Sequence, residues 1–472
     1  MHFTDAVFFF FFLATYVAFV LARKTPRGAL TVLLTASLLF CAWSKWDFVG
    51  LLLLSSVGNY LLGIFVHEAR NPGRKKAVLI VGLASNLVLL GVFKYFNWFA
   101  DGVNDALGAF GVNAVPFVKL SLPLGISFYT FQCISYLVDI YRGGMLPCRS
   151  ILKFLLFVAF FPKLIAGPIA RAASLIPQFG PEMAGRSDSS GLWLVLYGLM
   201  KKLALADPIG AVLVDPAFAD PSRYSSVELL LAAHGFAFEI FLDFSAYSDI
   251  AIGLGRLFGV ELPVNFRWPY LATNPREFWR GWHITFSTWL RDYLYIPLGG
   301  SRGTRWETAR NLLFTMILGG LWHGAGVNFL VWGLLHGLYL CANHEFDLLV
   351  GKGRFKWWGS VPRFVRVALF CHVVSLTWVF FRSPGIVASL DYLACLVSNG
   401  WGCSHITRMW ALLLGAAVAV HFAVEPALDK GISIVSRLPA FVCAACYMVF
   451  FTWIYSSTGS ESSTRQFIYA QF

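Results

Sequence analysis

The chain has 472 residues, of which 58% are hydrophobic and only 13% charged, with a mean hydropathy of +0.66; a soluble domain would carry about 25% charged residues. That balance excludes an ordinary soluble protein, and apolar runs of roughly 17–25 residues exclude a membrane β-barrel, whose strands alternate over about 10 residues. The formal charge of +12 sits in short loops flanking apolar runs, where it sets membrane orientation, so nucleic acid is not an expected partner. The expected fold class is all-α and polytopic, with roughly 11–13 membrane elements set among membrane lipids.

In chain order, spans are expected near 6–22, 29–43, 46–66 and 77–100. The loops RKTPRG and HEARNPGRKK between them are strongly basic and belong on the cytoplasmic side, which places the N-terminus outside. The opening apolar run precedes its charges, the reverse of a signal peptide, and is read as a retained span. DGVNDALGAFGVN, from residue 101, is expected as an outer loop. A further segment, Val115 to about Ile140, carries Pro123 and Gly125 near its start. FLLFVAFFPKLIAGPIAR is broken at Pro162 and Pro168 around Lys163, the pattern of a re-entrant or interrupted helix. The polar link 177–191 separates an N-terminal group of helices, 1–176, from a core expected over 192–345 and C-terminal helices over 346–472, all within one integral-membrane domain. Within the core, LWLVLYGLMKKLALAD leads into a loop expected at 207–222. His234, Glu239, Asp243 and Asp249 follow in apolar surroundings, with Glu239 and Asp243 four apart on one helix face. Later spans are expected near 362–381, 409–424 and 437–455.

Chemistry concentrates between Thr273 and Gly337. Ionisable groups at membrane depth are costly and mark function by default. His323, in LWHGAG, has Trp322 before it and Gly319, Gly320, Gly324 and Gly326 around it, so substrate or backbone can approach closely. As a general base it would take the proton of an attacking hydroxyl; as a structural residue it would bond between helices that the glycines bring into contact. Both readings stand on the pattern alone. His336 is thirteen residues on, roughly 220° around one helix, and fits a supporting role better. His283 lies where Arg276, Arg280 and Arg291 alternate with Trp279, Trp282, Trp289 and Tyr293. That mixture suits an interfacial helix, and equally a platform whose arginines grip phosphates. No HxxxH or HExxH occurs, so no metal is expected, and no tightly bound cofactor. GxSxG and Walker patterns are absent.

These stretches carry a resemblance. PLGISFYTFQCISYLVDIYRG (123–143), FFPKLIAGPIAR (160–171), LDFSAYSDIAIGLGRLFGVELPVNFRWPY (242–270), EFWRGWHITFSTWLRDYLYIPLGGSR (277–302), LGGLWHGAGVNFLVWGLLHG (318–337) and the terminal FIYAQF resemble motifs of the membrane-bound O-acyltransferase family, in its alginate O-acetyltransferase-type branch. The resemblance implies a ring of helices with re-entrant and interfacial elements around a central tunnel, His323 as the essential histidine and His283 as a second one. Gly281 stands where many relatives carry arginine. It further implies acetyl-CoA as donor substrate, for which Arg276, Arg280, Trp279, Trp282, Trp322, Asn328 and His336 are the expected substrate-binding residues. The implied partners are periplasmic SGNH-type acetyltransferase subunits and a polysaccharide biosynthesis complex at a bacterial inner membrane, acetylating alginate, cellulose or a similar glycan. FIYAQF differs from FIYFQF at a position given no role. The rival is a transporter of an acyl donor or glycan, for which internal repeats are the expected sign; none is visible.

Overall fold

The computed structural model describes residues 1–458 and 465–470. Among the described residues there is helix and loop and no strand. Five helices are long and apolar enough to cross a membrane: Trp46–Glu68, Pro72–Ala109, Ser226–Leu257, Arg363–Arg382 and the run Arg408–Val435; four further apolar helices are shorter. The chain forms two compact units, one of residues 1–192 with 250–263, the other of residues 193–249 with 264–472.

In the first unit the helices Ala6–Ala22, Pro26–Ala42 and Trp46–Glu68 lie where the apolar runs place them. Their starts are chemically marked. Thr25 Oγ1 accepts from Gly28 N–H and Asn71 Oδ1 from Gly73 N–H, and each cap precedes a proline whose missing donor is harmless in a first turn. Asn59 and Asn86 exchange amide hydrogen bonds at 3.1 and 2.7 Å, pinning Trp46–Glu68 to the next helix.

That next helix, Pro72–Ala109, runs through much of the stretch expected as an outer loop. Its polar residues are used to tether the chain that follows. Asn97 exchanges hydrogen bonds with the backbone of Leu120, and Asn104 with that of Val115. Residues 112–123 are non-helical, because Pro116 and Pro123 interrupt the ladder and Gly125 is left-handed at φ 71°; the helix begins only at Ile126. The segment Val115 to Ile140 is therefore half tethered loop and half helix. The interrupted stretch stops at Ala159, takes one turn over Phe161–Leu164 and continues without helix. Lys163 is fully buried there, its ammonium donating to Gln132 Oε1 at 2.7 Å and to the Val158 carbonyl at 3.3 Å.

The second unit corrects another expected loop. Helix persists to Ala219 through Pro208 and Pro216, because π-helical turns at Lys201–Ala206 and Gly210–Val214 widen the register just before each proline and absorb its missing donor. The same device at Val420–Val424 carries a helix expected to end near 424 on to Val435. The helix Ser226–Leu257 has 83% of its most apolar window buried, against 28% for Trp46–Glu68, so its carboxylates lie inside protein and not in lipid.

Candidate active site

Two local devices position the histidines. His323 ends the helix Arg305–His323, which opens with a capping box between Thr304 and Glu307. Nineteen residues at about 1.5 Å each span roughly 28 Å, close to the roughly 30 Å of a hydrocarbon core. His323 therefore sits nearly a hydrocarbon core's length from the basic first turns of the same helix, which carry Arg305 and Arg310. The partner helix Val327–Gly351 packs against the first at Gly320 and Gly333: a Cβ on either would meet backbone of the facing helix, at Phe329 and Met316 respectively. These glycines are thus close contacts between helices.

His283 is placed by a backbone clasp. Asn265 accepts from the Thr285 hydroxyl at 2.8 Å through its side chain, and from Ile284 N–H at 2.8 Å through its backbone carbonyl; Arg267 N–H donates to the Gly281 carbonyl. Gly281 lies so near the Arg267 carbonyl that a side chain there would displace one strand of the clasp. His283 itself is left-handed, at φ 40° and ψ 56°, a well that non-glycine residues enter under strain and that concentrates at functional positions.

The histidines are buried, with 0% exposure for His283 and 2% for His323, and three rings touch both of them. Phe286 lies 5.0 Å from His283 and 5.3 Å from His323; Trp322 lies at 6.0 and 4.9 Å; Tyr469 lies at 6.1 and 5.6 Å. Trp332 and Phe381 close further sides of His323 at 5.2 Å each. The arrangement is a buried aromatic box, the kind of surrounding in which water competes little for a proton.

The other expected site residues divide. His336 is buried behind Trp332, 4.7 Å away, with Thr377 Oγ1 at 3.2 Å from its Nε2. Trp279 and Trp282 pack inward, Trp279 on His336 and Trp282 on Trp378. Asn328 donates to the carbonyls of Phe380 and Ser383 and joins the wall of a cavity of about 420 Å³. Arg276 and Arg280 are exposed, and Arg276 pairs with Asp347 at 2.9 Å.

Three features went unread. Tyr469, in a terminal motif given no role, enters the box because its segment is threaded inward: Ile468 N–H donates to Asp243 Oδ2 at 2.8 Å and the Gln466 carbonyl accepts from Lys202 at 3.2 Å. Tyr469 then stacks on Phe244 at 3.8 Å. Second, the partners of Asp243 and Asp249, which by sequence could line a path or form structural pairs with Asn265 and Arg267 nearby, are Lys202 and Lys201, each at 2.6 Å. Third, Lys202 also holds Asp207 at 2.8 Å, and Lys201 holds Glu425 at 2.9 Å. Two adjacent lysines inside an apolar helix were the available signal.

Residues 148–382 match the family model of the membrane-bound O-acyltransferase family. The probable alginate O-acetylase of Pseudomonas syringae pv. tomato is 39% identical over 425 residues, covering 89% of this chain and 79% of the relative. That of Pseudomonas aeruginosa is 37% identical over 430 residues, covering 89% and 80%. A peptidoglycan O-acetyltransferase of Helicobacter pylori is 35% identical over 414 residues, covering 82% and 77%. With identity of this level along nearly the whole chain, the protein belongs to the membrane-bound O-acyltransferase family and is an integral-membrane O-acyltransferase.

Proposed function

We propose that the protein takes an acetyl group from acetyl-CoA on the cytoplasmic side of a bacterial inner membrane and delivers it, with an SGNH-type periplasmic partner, to hydroxyls of an exopolysaccharide such as alginate or cellulose. The N-terminus is periplasmic in this reading. The observation that carries it is the shared box: two buried histidines touched by the same three rings. His323 is the general base. It takes the proton of the acceptor hydroxyl as the oxygen attacks the thioester carbonyl carbon, the C–S bond breaks, and the imidazolium returns the proton to the departing CoA sulfur. His283 orients the reacting groups or the His323 ring, and the exposed Arg276 and Arg280 meet the donor's phosphates.

The printed names of the relatives, alginate O-acetylase and peptidoglycan O-acetyltransferase, support an acetyl group and a glycan acceptor. The experiment is His323→Ala in the producing strain. Glycan acetylation is expected to vanish while the protein stays in the membrane at its normal level; acetylation that persists would remove His323 from the chemistry.

A further inference from the structure

The chemistry proposed at His323 leaves one atom unattended. As the acceptor hydroxyl attacks, the thioester carbonyl oxygen gathers negative charge, and a general base does nothing for it. A hydrogen-bond donor fixed beside that oxygen in a water-poor site is the usual source of such stabilisation. Of the rings around His323, Phe286 and Phe381 carry no polar hydrogen, and neither Trp322 nor Tyr469 is without a partner. Trp332 differs. Its ring lies 5.2 Å from that of His323 at 88°, it is fully buried, and its Nε1 has no hydrogen-bond partner among the described residues.

A buried N–H without an acceptor costs stability and calls for a reason. Space-filling alone supplies none, because a ring lacking the N–H would pack here without that cost. The faces of neighbouring rings are weak acceptors at best. Trp279 and Trp282 also keep Nε1 without a partner among the described residues, but their rings pack on His336 and Trp378, whereas that of Trp332 lies on His323 itself. Trp332 is also held still. Trp378 stacks on it at 5.4 Å and 28°, Phe381 lies at 5.4 Å, and His336, bonded to Thr377, lies at 4.7 Å. A donor so confined needs no reorganisation when charge appears on its acceptor. Indole is uncharged and donates only, so it serves the oxygen without repelling the imidazolium that forms at His323.

We propose that Trp332 is a catalytic residue whose indole N–H donates to the acetyl carbonyl oxygen of the bound thioester. That hydrogen bond tightens as the C–O bond to the acceptor forms, the carbonyl electron pair moves onto the oxygen and His323 takes the hydroxyl proton. It relaxes when the pair returns, the C–S bond breaks and the sulfur takes the proton from His323. The inference rests on reading the protein as an acetyltransferase centred on His323. The test replaces N–H by sulfur in an otherwise matching bicyclic ring, Trp332→benzothienylalanine, installed by codon suppression in the full-length protein. Membrane vesicles of the producing strain, which keep its partners, are supplied with acetyl-CoA. The expected fall in kcat is about 100-fold, the scale of one lost oxyanion donor, with KM for acetyl-CoA changed by less than about threefold. The fall is expected to be equal across the pH range of activity, because indole does not titrate there. The melting temperature in detergent is expected to hold or rise, since the variant loses a donor that had no acceptor. In isotope-edited infrared difference spectra of the purified protein with carbonyl-labelled acetyl-CoA, the carbonyl stretch is expected at lower frequency in the unaltered protein than in the variant. Should the benzothienyl protein not reach the membrane, Trp332→Phe carries the same infrared expectation. Three results overturn the proposal: an unchanged carbonyl stretch, kcat within about threefold of the unaltered protein, or a fall in kcat that comes with a lower melting temperature and a shifted pH profile, the marks of a packing role. Failure of the acetyltransferase reading shows separately, as transfer that persists in His323→Ala, while the carbonyl stretch still reports whether Trp332 holds the acyl oxygen.

Discussion

His283 stands in a backbone well that a side chain branched at Cβ enters only at a steric cost. At φ 40°, asparagine is tolerated best among non-glycine residues, and valine is a true misfit. His283→Val is expected to be about 1–2 kcal/mol less stable than His283→Asn in thermal unfolding of the detergent-purified protein. Equal stability would mean that the clasp around Asn265 does not impose the strained turn. The buried ion pairs give a second expectation at this scale. Lys202 and Asp243 expose 1% and 2% of their side chains, so Asp243→Asn leaves a buried ammonium with one remaining acid, Asp207, and should cost about 3 kcal/mol. Lys202→Met with Asp243→Leu removes both charges and is expected to recover part of that loss, as a double-mutant cycle on melting temperature would read. These partners were illegible beforehand for a plain reason. Lys202 and Asp243 are 41 positions apart, and no local pattern says which buried acid answers which buried lysine.

Elements were far more legible than their ends. Apolar runs located Ala6–Ala22 and Trp46–Glu68 almost to the residue, because a lipid-facing helix must satisfy its backbone internally and shows its length in its composition. Prolines misled the reading at 207–219, where π-turns carry the helix past them, and polarity misled it beyond residue 100, where asparagines serve a tether instead of water. Between elements, the Asn59–Asn86 exchange is the clearest target. Asn86→Leu leaves Asn59 partly unsatisfied and is expected to lower stability by roughly 1–2 kcal/mol, while changing both to leucine should cost less than twice that. At the other helix pair, Gly333→Ala places a methyl group against the Met316 carbonyl. It is expected to cost roughly 1–3 kcal/mol by overpacking, and to slow acyl transfer because His323 rides on the displaced helix; an unchanged melting curve would show that the pair can separate freely.

For the molecule as a whole, composition pointed to a helical membrane protein, and the motif stretches resembled the family to which the chain belongs. The composition of the site was less visible. His323, His283 and Trp322 were named from local pattern and the fold brings them together, but the third ring between the histidines comes from Tyr469, in a motif that no local rule ties to position 323. Ending the chain after Thr464 should therefore leave a protein that inserts into the membrane and transfers no acetyl group, checked by membrane fractionation beside glycan acetylation. Activity in that truncated protein would show that the inward-threaded segment is dispensable.

That segment follows every described transmembrane helix in chain order, and so is translated after all of them. Insertion machinery releases each helix into lipid as it emerges, whereas residues 465–469 have to find Asp243, Lys202 and Phe244 among helices already laid down. Assembly of the centre therefore waits until residues 465–469 have followed those helices. A ribosome that stalls before position 465 leaves behind a membrane protein with its helices in place and its histidine box missing one wall.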